Sequence, residues 1–284
     1  MGDVPEASVS QTASPLRGLG SFTESERELF HGRDRERQEL ANLVTSDGFR
    51  AGLFYGEAGT GKTSLLRAGL QPDLRSQGVI ALYCTDNANP VESLAQALSE
   101  VTGHPAKDGE KLTDYMSRVI VDTKQTYIFL LDDIDLVMST NDQVAIALAE
   151  LFTRVVTRSA GRARFLFTCV SDRVHSFAAL EKRTGSLFPP TSRYELKGMQ
   201  LAEASAVLHD TLVRAGAQGA EETTTALVEE LSRDGLILPA DLQIETLAMR
   251  SQIISSAEQL VHMGGYHELE RRCIAEAARA TGHD

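Results

Sequence analysis

Two hydrophobic periods alternate along the first 198 residues. Short apolar runs, "AGLFYG" (51–56), "VIALYCT" (79–85), "TYIFLLDD" (126–133), "RFLFTCV" (164–170) and "RYELKG" (193–198), predict strands. "TYIFLLDD" is almost continuously apolar, as a strand covered on both faces must be. Between these runs, apolar positions recur three and four apart and predict helices. One spans "SFTESERELFHGRDRERQELANLV", with Leu40, Leu43 and Val44 inward, and another "KTSLLRAGLQPDL". A third, "NPVESLAQALSEV", has Asn89 suited to the N-cap, Pro90 at the first position and Glu92 as capping-box partner. Its stripe is Val91, Leu94, Leu98 and Val101. Two more follow, at about 110–123 (Leu112, Tyr115, Met116, Val119, Ile120) and 142–158 (Val144, Leu148, Leu151, Phe152, Val155). Strands alternating with helices predict an α/β fold, a parallel sheet sandwiched between helical layers.

After Gly198 the strand period stops. Helical patterns run over about 200–215, 221–233, 239–262 and 266–281, punctuated by Gly216, Gly219, Gly235 and the pair at 264–265, with no strand expected. Residues 1–20, rich in Ser, Gly, Ala and Pro, are expected to form a flexible or wrapping tail. The expected organisation is therefore a tail over 1–20, an α/β domain over 21–198 and an all-α domain over 199–284.

Composition narrows the class. At 42% hydrophobic and 24% charged residues, the chain is that of a globular protein with a real core. No apolar run approaches the roughly 20 residues that span a bilayer, so no membrane insertion is expected. Cys84, Cys169 and Cys273 show no paired spacing, and the first two lie in apolar strands. Buried thiols and a cytoplasmic setting are the expectation. The net charge of −12 opposes nucleic acid as the main partner.

The chemistry concentrates at three strand ends. Gly56-Glu57-Ala58-Gly59-Thr60-Gly61-Lys62-Thr63, followed by Ser64, fits G-x-x-x-x-G-K-[ST] between a strand and a helix. Its glycines let backbone N–H groups turn onto phosphate oxygens at a helix N-terminus. Lys62 is expected to bridge the β- and γ-phosphates and Thr63 to offer its hydroxyl to Mg2+. Asp132, at the end of the buried run, would hold the Mg2+ shell directly or through water. Asp133 would orient or deprotonate an attacking water. Asp135 is expected to face solvent or begin the next helix. At the third strand end, Thr168, Ser171 and Arg173 stand where a γ-phosphate sensor is expected, the other reading being a helix cap at Ser171 or Asp172. His175, His209, His262 and His267 have no metal-ligand spacing.

Taken in order, these pieces resemble the STAND NTPases, signal-transduction ATPases related to AAA+ proteins. The resemblance rests on Phe30-His31-Gly32-Arg33-Asp34, on "SLLRAGLQPDL" after the loop, on "RYELKGMQLAEASAVL" and on "LILPADLQIETL". It covers residues 15 to about 270. It implies that Phe30, Gly32 and Arg33 help hold adenine and ribose, and that Pro239 of a lid helix stands close to the base. ATP or ADP with Mg2+ would then be the ligand, protein partners and a nucleotide-dependent homo-oligomer the assembly, and slow hydrolysis in a regulatory switch the activity. The family often has an arginine where this chain has Val170, so Arg173 substitutes for it or γ-phosphate sensing is weak. A winged helix and sensor repeats usually follow in the family, so the chain is expected to be a fragment of a longer protein or a compact member. A non-hydrolysing scaffold and a DNA-associated AAA+ ATPase are the competing readings.

Overall fold

The computed structural model describes residues 20–214, 216, 219–251, 257–262, 264, 268 and 272. Cys273, the tail expected before Gly20 and nearly all of the pattern expected over 266–281 lie outside the described residues.

The expected strands are present as β1 (Ala51–Gly56), β2 (Val79–Tyr83), β3 (Thr126–Leu131), β4 (Ala163–Val170) and β5 (Arg193–Glu195). They form one sheet in the order β2-β3-β4-β1-β5, every neighbouring pair parallel. The alternation of side chains explains the continuous apolar runs. Phe129, Leu131, Phe165 and Phe167 enter one core, while Ile128, Leu130, Leu166 and Phe54 enter the other. The first core includes a row of rings, with Phe129 on Phe165 at 4.8 Å and Phe167 edge-on to Phe188 at 5.4 Å.

Helices cover both faces. α1 (Asp34–Thr45), α2 (Lys62–Ser64) and α3 (Gln71–Ser76) lie on the Phe54 side. α4 (Pro90–Thr102), α5 (Leu112–Thr123), α7 (Asp142–Arg158) and α8 (Ala178–Thr184) cover the other, with the short α6 (Asp135–Thr140) between β3 and α7. Between α2 and α3 the helix widens into a π-helical stretch, Leu65–Leu70, in which the Gln71 N–H reaches back to the Leu66 carbonyl. Pro72 follows at once and has no N–H to give an ordinary helical bond.

Several local expectations need correction. The leading helix is broken into a 3-10 turn, Glu24–Leu29, and α1, because Gly32 takes a φ of +79°. Asn89 sits at the N-cap of α4 but its amide donates to Asp86 instead of its side chain capping the helix. Val101 is 55% exposed and leaves the α4 stripe, where Ala95 is buried instead.

Beyond Gly198 two strands appear where none is expected. β6 (Met199–Gln200) pairs antiparallel with β7 (Leu236–Ile237), and two residues each are too few for a period-2 signal. Around them α9 (Leu201–Arg214), α10 (Ala220–Leu231) and α11 (Pro239–Ser251) enclose an apolar cluster of their own, including Leu208, Leu227, Ile237 and Met249, and α12 (Ala257–His262) follows. Among the described residues no helix is long and apolar enough to cross a membrane.

Candidate functional site

Because β4 lies between β3 and β1, the carboxyl ends of all three converge where the strand order reverses, the usual crevice of an open parallel sheet. β1 ends on Gly56, where a Cβ would lie 2.3 Å from the Leu196 carbonyl oxygen, so the chain leaving β5 closes tightly on the loop. Gly59 and Gly61 have φ of +83° and +90° and turn the loop into α2. The Lys62 ammonium lies buried across the loop, donating to the Gly56 and Glu57 carbonyls at 3.0 Å each. Burial pushes its pKa down, while the Asp133 and Asp132 carboxylates pull it up.

A cavity of about 430 Å3 opens over this loop. Its floor is Ala58 to Ser64, and Asp133 and Val170 stand at one end. Phe22, Leu29, Phe30, His31 and Arg33 from the leading segment form one wall. Met199, Val207, Thr211, Pro239, Leu242 and Gln243 from the helical part line it as well. The α11 N-terminus rests on the loop itself, with the Ala240 N–H donating to the Gly59 carbonyl at 3.2 Å.

The structure thus brings Phe30, Arg33, Ala58, Gly59, Thr60, Gly61, Lys62, Thr63, Ser64, Asp133 and Pro239 to one cavity. Gly32, Gly56, Glu57, Asp132, Thr168 and Arg173 stand outside its lining. Gly32 instead lets the leading segment approach α9, since a Cβ there would meet Val207 Cγ2 at 2.5 Å. Arg33 is nearly fully buried and works as a clamp. It donates to Glu36 Oε1 at 2.6 Å, to the Thr60 carbonyl at 3.1 Å and to the Lys197 carbonyl at 2.7 Å, tying the phosphate-type loop to the passage between β5 and β6. The sequence reading missed Phe22, whose N–H donates to Ser64 Oγ at 3.1 Å and whose ring lies 6.0 Å from that of Phe30. Within the expected leading helix it carried no signal of its own, and the structure places it ahead of the 3-10 turn that begins at Glu24. The wall residues of α9 and α11 read only as apolar helix faces.

The register explains the carboxylates. Leu131 pairs with Phe167, so Asp132 and Thr168 leave the ladder side by side. The buried Thr168 hydroxyl donates to Asp132 Oδ1 at 2.5 Å and accepts from the Asp133 N–H at 2.7 Å. Asp133 adopts a φ of +50° and turns into the cavity. The cavity walls and the Asp132 charge push its carboxyl pKa up, against the opposing pull of Lys62. Asp135 begins α6 but does not face solvent. It is buried and pairs with Arg173 at 3.6 Å. Arg173 is therefore directed to Asp135, away from the cavity lining. Cys84 and Cys169 are buried free thiols as expected, and burial pushes Cys169 up to about 12.

No curated protein matches the chain. Solved structures share its fold at low identity. A Walker-type ATPase of Pyrococcus abyssi aligns at 14% identity and a TM-score of 0.62, covering 93% of this chain and 77% of that one. The ORC2 protein of Aeropyrum pernix, in ADPNP-ADP complexes, aligns at 17% and 0.57, covering 86% and 68%. The ORC1 protein of the same organism, in complex with DNA, aligns at 16% and 0.52, covering 92% and 67%. The fold is that of the AAA+ P-loop ATPases. A family model described as novel STAND NTPase 1 matches residues 15–275, nearly the whole chain, and the protein belongs to that family of NTPases.

Proposed function

We propose that the protein binds ATP or ADP with Mg2+ between the α/β part and the helical part, and hydrolyses ATP slowly as a nucleotide-dependent regulatory switch. The observation that carries this reading is the cavity itself. The loop, the leading segment and α11 all contribute to its walls, so a nucleotide there would touch every body that a switch has to couple. Its apolar lining, Phe22, Leu29, Phe30 and Met199, suits a base, and its loop residues suit phosphates.

Oxygen donors suit Mg2+, and Thr63 and Asp133 both line the cavity. Thr63 would hold the ion, with Asp132 behind it acting through water, which leaves Asp133 free for the attacking water. Mg2+ bound there would neutralise charge on the phosphate oxygens. Lys62 would exchange its loop carbonyl partners for phosphate oxygens. Asp133, with its raised pKa, would accept a hydrogen bond or a proton from an attacking water. Protein partners, a nucleotide-dependent oligomer and a cytoplasmic setting belong to the same proposal, with the domain boundary at 198/199.

The test is affinity for ATP and ADP, with turnover, on wild type, Lys62→Ala and Asp133→Asn. Lys62→Ala is expected to weaken binding by about 100-fold or more, as loss of charge-assisted bonds predicts. Asp133→Asn is expected to bind normally and to lose hydrolysis. Wild type that binds but never hydrolyses would support the scaffold reading. The ORC1 likeness, a structure in complex with DNA, favours the DNA-associated reading, which the charge of −12 opposes. Salt-dependent DNA binding by the same preparation would decide for it.

A further inference from the structure

Asp132 is pinned from elements that the nucleotide reading leaves unassigned. Tyr83, the last residue of β2, pairs in register with Leu130, and its hydroxyl donates to Asp132 Oδ2. Thr168 donates to Oδ1, and the Asn87 amide donates to the Asp132 carbonyl at 2.8 Å. Both carboxylate oxygens therefore have a neutral hydroxyl donor, as a buried ionised carboxylate requires. The Tyr83 ring is fixed in turn, for the Arg67 guanidinium lies 4.5 Å from its centroid. Arg67 belongs to the π-helical stretch that continues the loop helix.

We propose that Tyr83 is a positioning residue, holding Asp132 so that Asp133 is the carboxylate presented to bound nucleotide. The assignment rests on the hydrolytic reading above. A continuous line of contacts then runs from the loop helix through Arg67, Tyr83, Asp132 and Thr168 to the Asp133 N–H. Asp133 sits at a positive φ, a conformation that a non-glycine residue keeps when its surroundings over-determine it. The Thr168 hydroxyl has one proton and gives it to Asp132, which leaves its lone pair for Asp133. Release of Asp132 from Tyr83 would free the Thr168 hydroxyl to rotate and loosen Asp133 with it. The Tyr83 phenol pKa is raised by burial and by Asp132, so the hydroxyl stays a donor at physiological pH.

Tyr83→Phe removes one oxygen and leaves the ring under Arg67. The measurements are kcat and KM for ATP with Mg2+, and ADP affinity by calorimetry with and without Mg2+. The expected result is a roughly tenfold fall in kcat, the usual loss for one hydrogen bond to a charged group. KM and Mg2+-free ADP affinity are expected to stay within about twofold of wild type, as the variant leaves the loop and base wall intact. The gain in ADP affinity on adding Mg2+ is expected to shrink. Arg67→Met keeps the hydroxyl but removes the cation over the ring, and is expected to lower kcat in the same pattern. A kcat within about twofold of wild type in both variants would overturn the assignment, as would parallel losses of kcat and Mg2+-free affinity. Wild type without turnover would sink the hydrolytic reading, and this assignment with it. Active wild type with fully active variants sinks the assignment alone.

Discussion

At the scale of single residues, charge and enclosure are in tension at Asp133. Its raised pKa means that the folded chain holds the carboxyl proton more tightly than the unfolded chain does. The stability linked to that proton is present at low pH. It is lost as pH rises from the ordinary carboxylate range through the raised folded value. Asp133→Asn removes this loss. The variant is expected to be more stable than wild type near pH 7, with the gap closing as pH falls toward about 3.9. Urea unfolding at both pH values checks it, and a variant less stable than wild type at neutral pH would contradict it. The residues legible in the sequence were those whose chemistry has a fixed spacing, from Gly56 to Thr63, or a costly location, such as the aspartates ending an apolar strand. Tyr83 was not legible, because a tyrosine in an apolar strand reads as core. The burial of Asp135 was hidden too, since its partner Arg173 comes from another strand end.

At the scale of elements, the sheet was the most readable part, because strands buried on both faces must be apolar along their whole length. The leading helix was misread at Gly32 and the two strands of the helical part were missed. In both cases a short backbone feature answers to contacts from distant chain, Val207 for the glycine and the β6–β7 pairing for the strands. The same kind of contact sets the expectation for the loop. Gly59 has a φ of +83°, and a Cβ there would lie 2.9 Å from the Ala240 Cβ on α11. Gly78 has a φ of +72° with nothing within 4 Å. Alanine at either position carries a backbone strain of about 1–2 kcal/mol. Gly59→Ala also pushes α11 off the loop. Thermal midpoints of the two variants are expected to fall by similar or greater amounts for Gly59→Ala, and only that variant is expected to lose nucleotide affinity. Equal affinities would mean that the contact between α11 and the loop carries no weight in binding.

At the scale of the whole molecule, the site is a joint. The sheet's two cores and the separate cluster of the helical part meet around the loop, with Arg33 tying the loop to the passage between β5 and β6. That arrangement was legible only through family likeness, because no periodicity says which helix end rests on which loop. A nucleotide held in the joint has to order both sides at once. Hydrogen exchange with and without ADP tests this most directly. ADP is expected to slow exchange in the loop from Gly56 to Thr63 and, to a similar degree, in the first turn of α11 at Ala240 and Asp241, and Lys62→Ala is expected to abolish both effects. Slower exchange in the loop with α11 unchanged would contradict a nucleotide shared between the two parts.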